Sequence, residues 1–212
     1  MVRKHVVISG TGRTGTTFLV QLLTYLGLDT GFKPDDLEVH EISNAGLEHD
    51  IRRNDVPYIV KSPWFCNYAE EVVLREDIHI EHVFIPVRDL FSAAESRRQV
   101  TRKALVKSTL KQRIRHFFQP RVAVPGGVYA ANPGHQELVL LEQFYKLSLA
   151  LSRTFIPITL LNFPEIIQNS RFLYEKLKPI LGQTDFGSFN EIFKSTVRPE
   201  LVHTFDRKII RT

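Results

Sequence analysis

Three groups of residues in this 212-residue sequence have types and spacings suited to binding an anion and moving a charged group. The first is Ser9 to Gly15, where Gly10, Gly12 and Gly15 surround Arg13. The apolar, β-branched run Val6 to Ile8 precedes it, and apolar residues at helical spacing follow from Thr16: Phe18, Leu19, Leu22, Leu23 and Leu26. A buried strand that feeds a glycine-rich loop and then opens a helix gathers unpaired backbone N–H groups at one point. That point carries about half a positive charge, so phosphate or sulfate is the expected guest. The second group is Lys61, at the end of the apolar segment Pro57 to Lys61 and stopped by Pro63. Ligands of open parallel sheets bind at the carboxyl ends of the strands, which directs Lys61 to the same crevice as the loop. The third is Arg88, just after the strand-like segment His82 to Val87, with Ser96 eight residues later. Two helical turns separate them, so they share a side, and arginine supplies the fork that phosphate prefers.

Gly10 and Gly15 have the spacing of a nucleotide phosphate loop, G-x-x-x-x-G-K-[ST], but Thr16 fills the lysine slot and Thr17 follows it. A nucleotide triphosphatase without that lysine lacks its main charge on the transferred group. Here the cation lies inside the loop, at Arg13. Arg88 stands before Asp89, which argues against a magnesium-binding acidic strand end. A phosphotransferase or nucleotide hydrolase with a degenerate loop stays open on these residues, as does a non-catalytic protein that binds nucleotide or nucleic acid.

The segment GRTGTT after a strand resembles the 5′-phosphosulfate loop of sulfotransferases that use 3′-phosphoadenosine-5′-phosphosulfate (PAPS), and Arg88 with Ser96 resembles that family's R-[ND]-x-x-x-x-x-x-S motif for the 3′-phosphate. The resemblance follows most of the chain in order, and its specific part is residues 10 to 17 and 88 to 96. It implies a metal-independent transfer of a sulfuryl group from PAPS to a hydroxyl or amine of a small-molecule, glycan or lipid acceptor. Gly12, Arg13, Thr14, Gly15, Thr16 and Thr17 would cradle the 5′-phosphosulfate, Arg13 and Lys61 would neutralise the moving charge, and Arg88 and Ser96 would hold the 3′-phosphate. The family's base is a His or Glu near the loop. The irregular segment Leu28 to Asp55 offers His40, Glu41, Glu48 and His49, of which Glu48 and His49 are taken as candidates. Phe163 takes the place of a tyrosine near the adenine. Three features depart from the family pattern: Pro63 replaces a histidine after Lys61, Pro164-Glu165 follows Phe163, and Arg207-Lys208 continues into Ile209. The second set of 3′-phosphate ligands is consequently unassigned.

Alternating strand and helix patterns predict a three-layer α/β/α fold with a mostly parallel sheet of four to five strands, in a single domain over residues 1–212. A further strand is expected at Ile156 to Asn162 and helices at Phe65 to Arg75, at Gln136 to Phe155 and from just after Glu165 to about Leu181, with a short helix around Leu37 to Ile42. Cys66 is the one cysteine, which excludes an internal disulfide and fits a reducing compartment. The apolar run that stops at Gly10 is too short for a signal peptide core, and no stretch approaches the ~18 apolar residues of a membrane span. A cytoplasmic location is the resulting expectation.

The net charge of +5 suggests an anionic partner, and the motifs favour a nucleotide over nucleic acid. The nine Lys and Arg from Arg97 to Arg121 read as a solvated face or as a lid that guides an anion. Gln119 to Gly134 reads as a long loop in which Tyr129 could meet the acceptor.

Overall fold

The computed structural model describes residues 2–41, 43, 45–110, 133–203 and 205. Most of the loop expected at Gln119 to Gly134, with Tyr129, lies outside the described residues, as do the basic run beyond residue 110 and the tail at Arg207-Lys208. Four strands form one sheet: β1 (Arg3–Ile8), β2 (Ile59–Lys61), β3 (Ile78–Arg88) and β4 (Ile158–Phe163). Their order is β2-β1-β3-β4 and every pair is parallel. Register then does the positioning. Ile8 pairs with Lys61 on one side and Phe84 on the other, and β3 runs on to Arg88, which pairs with Phe163. Because all four strands run the same way, the loop after Ile8, Lys61, Arg88 and Phe163 emerge along one rim of the sheet.

Helices cover both faces, which gives the expected three layers. On one face α1 (Thr16–Tyr25), α5 (Glu165–Gln168), α6 (Ser170–Leu181) and α7 (Phe186–Thr196) bury Leu19, Leu23, Ile166, Leu173 and Phe189 against Val6, Ile8, Phe84 and Leu161. On the other, α2 (Ala69–Val73) and α4 (Gln136–Ser152) bury Val72, Leu147 and Leu151 against Val7, Val83 and Ile85. Alternate β1 residues feed opposite cores, as the two-residue period of a strand requires. The helix α3 (Leu90–Lys107) leaves β3 directly, capped by the Asp89 carboxylate, which accepts from the Ser92 N–H.

Several expected elements are shifted or divided. β1 and β3 begin earlier than their apolar patterns because Arg3 and Lys4 pair with Ile78 and His79, and Arg3 reaches Asp77 at 2.8 Å. The helix expected at Phe65 to Arg75 is a 3-10 turn at Phe65–Asn67 followed by α2, since Tyr68 leaves helical dihedrals and its hydroxyl lies 2.5 Å from Ser62 Oγ. The helix after Pro164 divides at Asn169, whose side chain caps α6 by accepting from the Phe172 N–H. No helix forms over Leu37–Glu41. The His40 N–H donates instead to the Ala45 carbonyl at 2.8 Å and closes a short antiparallel bridge.

Among the described residues no helix is long and apolar enough to cross a membrane. None of the described strands pairs with the outer edge of β4, and Ile158 and Leu160 on one side of it are exposed.

Candidate functional site

The loop after β1 is pinned at its base. Ser9 donates from its N–H to the Phe84 carbonyl at 3.0 Å and from its hydroxyl to the Ser62 carbonyl at 2.9 Å, while the Ser62 N–H donates to the Ile8 carbonyl at 2.9 Å. Three strands therefore hold the loop's take-off point. At the far end Gly15 caps α1 with φ +84°, and a Cβ there would lie 3.0 Å from the Phe163 ring. Only glycine fits both demands. The first turn of α1 has neither a side-chain cap nor an acidic residue. Its unpaired N–H groups and dipole are thus presented to whatever enters the cleft, where Gly15, Thr16 and Thr17 form part of the wall.

Among the described residues, Arg13 is one of two non-glycine residues with positive φ, at +61°. That backbone costs an ordinary residue ~1–2 kcal/mol, and side-chain contacts hold it. Arg13 Nε donates to Ser96 Oγ at 3.1 Å, and its Nη1 donates to the Ser43 carbonyl. Arg88 Nη1 donates to the Arg13 carbonyl at 3.0 Å, Nη2 donates to the His203 carbonyl, and the guanidinium stands 5.0 Å over the Phe163 ring. The loop and the Arg88/Ser96 pair are separated by more than seventy positions in sequence, yet they interlock directly.

Lys61 is only 2% exposed. Its ammonium donates to Thr17 Oγ1 at 2.9 Å, to Glu48 Oε1 at 2.8 Å and to the Gly46 carbonyl. Burial pulls Lys61 below an ordinary lysine despite the opposing charge of Glu48, and the nearby Arg13 adds to that pull. Burial likewise lowers Arg13 to about 10, with Arg88 close by, and lowers Arg88 itself. Three partly desolvated cations share one rim, an arrangement that an incoming anion relieves.

These groups border a cleft of about 560 Å³. Phe163, Ile167, Ser195, Thr196 and Arg198 line it where α5 and α7 meet the rim, while Pro63, Trp64, Arg97 and Gln143 line it beyond Lys61. Of the residues expected from sequence, Gly12, Arg13, Gly15, Thr16, Thr17, Glu48, Lys61, Arg88, Ser96 and Phe163 all border this cleft. Two do not. Thr14 is fully buried inside the loop, and His49 is turned away, with its ring 4.9 Å from that of Phe32 and Nε2 3.2 Å from the Thr30 carbonyl. His40 from the same segment stands at the cleft in its place.

Arg97 is 3% exposed and its Nη1 donates to Gln143 Oε1 at 3.2 Å, while Arg98 bridges Glu95 and Glu137. The start of the basic run is therefore buried and paired rather than a solvated face. Gln143, Trp64 and Arg198 carried no motif that would have flagged them. Comparison with known proteins finds no matching family model, no matching curated protein and no matching solved structure.

Proposed function

We propose that this protein is a sulfotransferase that binds PAPS along the rim and passes its sulfuryl group to a hydroxyl or amine of an acceptor. The observation that carries this reading is the direct contact of the two motif regions, Arg13 with Ser96 and Arg88 with the Arg13 carbonyl, at 3.1 and 3.0 Å. A bisphosphorylated nucleoside has an anionic group at each end, and this rim offers one cationic anchor for each. The backbone of Gly12 to Thr17 cradles the 5′ end, Arg88 and Ser96 hold the 3′ end, and Phe163 supplies an aromatic face beside Arg88.

In the transfer, the acceptor oxygen or nitrogen bonds to sulfur, the bond from sulfur to the bridging phosphate oxygen breaks, and adenosine 3′,5′-bisphosphate leaves with the electron pair. Arg13 and Lys61 stabilise the charge that builds on that oxygen. Glu48, held through Oε1 by Lys61, takes the acceptor proton.

One contact favours sulfuryl over phosphoryl transfer. In nucleotide triphosphatases the hydroxyl after the loop lysine holds magnesium, whereas the corresponding Thr17 hydroxyl here accepts from the Lys61 ammonium at 2.9 Å. Purified protein should therefore transfer labelled sulfate from PAPS without added magnesium, and adenosine 3′,5′-bisphosphate should raise its melting temperature more than ATP does. Magnesium-dependent transfer of phosphate from ATP would refute the assignment.

A further inference from the structure

The helix α4 is apolar on two opposite faces. Leu147, Ala150 and Leu151 are buried in the core beneath the sheet and Leu140 is buried against α3. On the other side stand Leu138, Leu141, Tyr145 and Leu149, which recur at steps of three and four residues and so form one stripe along the helix. All four are exposed, Tyr145 to 65%. No other described helix shows more than one large exposed apolar side chain. Single exposed hydrophobes are ordinary, whereas a helix apolar all round is one covered on both sides. Gln143 is the residue of α4 that borders the cleft, and it is turned well away from the stripe, so the stripe is a surface distinct from the cleft.

The charges beside the stripe say what would cover it. At a net +5, copies of this chain repel one another in general, so a contact between them needs a balanced patch. Glu142 and Lys146 supply one. Both flank the stripe on the same side, both are exposed, and within the chain they lie 2.7 Å apart. When two copies of α4 are set antiparallel about a two-fold axis passing between Gln143 and Phe144, Leu138 faces Leu149 of the second copy and Leu141 faces its Tyr145. Glu142 then comes level with Lys146 of the second copy, and the symmetry makes each contact twice. A parallel pair would instead set Glu142 on Glu142 and Lys146 on Lys146, which like charges oppose.

We propose that α4 is the contact surface of a homodimer, in which two copies pack antiparallel along Leu138, Leu141, Tyr145 and Leu149. The seam is about 25 Å long and ~10 Å wide, short of the ~800 Å² per partner of a standard interface. The dimer therefore dissociates in the micromolar range.

The test is sedimentation equilibrium of the full chain from about 1 to about 200 µM, a range that spans such an affinity. The average mass should climb from 24.5 kDa toward twice that value as concentration rises. Leu141→Gln/Tyr145→Gln, which alters exposed side chains only, should stay monomeric and melt within about 2 °C of the dilute unaltered protein. Glu142→Lys and Lys146→Glu should each weaken the dimer at least tenfold, because both put like charges across the axis. An equimolar mixture of those two variants restores unlike pairs, and its affinity should return to within about threefold of the unaltered protein.

A mass that stays at 24.5 kDa throughout overturns the proposal. So does a dimer that survives Leu141→Gln/Tyr145→Gln, and so does a mixture of the charge variants that associates no better than either alone. If the unaltered protein remains monomeric but binds vesicles of phosphatidylcholine and phosphatidylserine, the stripe meets a membrane and the homodimer is overturned. The dilution series needs no variant, so it decides the matter even if Leu141→Gln/Tyr145→Gln does not fold.

Discussion

Replacing Arg88 by methionine tests the donor site most directly, since methionine keeps much of the apolar stem over Phe163 and removes only the fork. Both terminal nitrogens of Arg88 already hold carbonyls, those of Arg13 and His203. Binding a 3′-phosphate therefore exchanges neutral acceptors for a dianion rather than creating two bonds from nothing. A hydrogen bond to a charged partner contributes a net ~1.5–3 kcal/mol, so one such gain spread over the fork is worth ~2–3 kcal/mol. At ~1.4 kcal/mol per decade this is roughly a 30- to 150-fold loss of affinity for adenosine 3′,5′-bisphosphate. The assay is calorimetric titration of that ligand and of adenosine 5′-monophosphate, which lacks the group in question. Affinity for the monophosphate should change by less than about threefold. An equal loss for both ligands would refute the reasoning, because Arg88 would then act only by steadying the Arg13 carbonyl and not by reading the 3′ end.

Gly15→Ala adds a Cβ at φ +84° and 3.0 Å from the Phe163 ring. The backbone costs ~1–2 kcal/mol and the crowding ~1 kcal/mol or more, which at ~2–4 °C per kcal/mol lowers the melting temperature by roughly 5–10 °C; an unchanged melting curve would contradict the packing of Phe163 on the loop. His5 and His82 should make the fold acid-sensitive. His5 Nδ1 lies 2.8 Å from the Pro57 carbonyl with its other ring nitrogen buried and unbonded among the described residues, and His82 Nε2 lies 2.8 Å from Thr159 Oγ1. Burial lowers both from the ordinary 6.5. Below that pH the unfolded chain takes up protons that the folded chain refuses, so stability falls with pH until the lowered native values are reached. Thermal melts from pH 7 down to 5 should show this decline, and it should be shallower in His5→Leu/His82→Leu.

The sheet and the loop could be read from the chain because their signals are local. Val6 to Ile8, Pro57 to Lys61 and His82 to Val87 are short apolar runs bounded by breakers, and the glycines at 10, 12 and 15 need no partner to be recognised. The strand order and the meeting of Arg13 with Ser96 belong to pairing across the sheet. The shared spacing of Arg88 and Ser96 predicted one side, and parallel register brought that side to the loop.

What escaped was set by distant contacts. Glu48 and His49 are neighbours in a segment without periodicity, and Lys61 draws one to the cleft while Phe32 and Thr30 hold the other away. Arg97 was hidden by the charges around it, since a basic run gives no sign that one member turns inward to Gln143. Asn169 ends one helix and starts the next through a side-chain bond that the leucine pattern on either side conceals.

The open side of β4 bears on how this protein behaves at high concentration. Ile158 and Leu160 stand on a strand whose outer backbone is not paired by any described strand, close in sequence to the fully exposed Phe155. Sticky, flat margins of this sort are where like molecules adhere edge to edge, and natural sheets often blunt them with lysine. Leu160→Lys, at a half-exposed position on the margin away from the loop, is therefore the natural first change when a concentrated stock clouds or a crystallisation drop fills with amorphous precipitate.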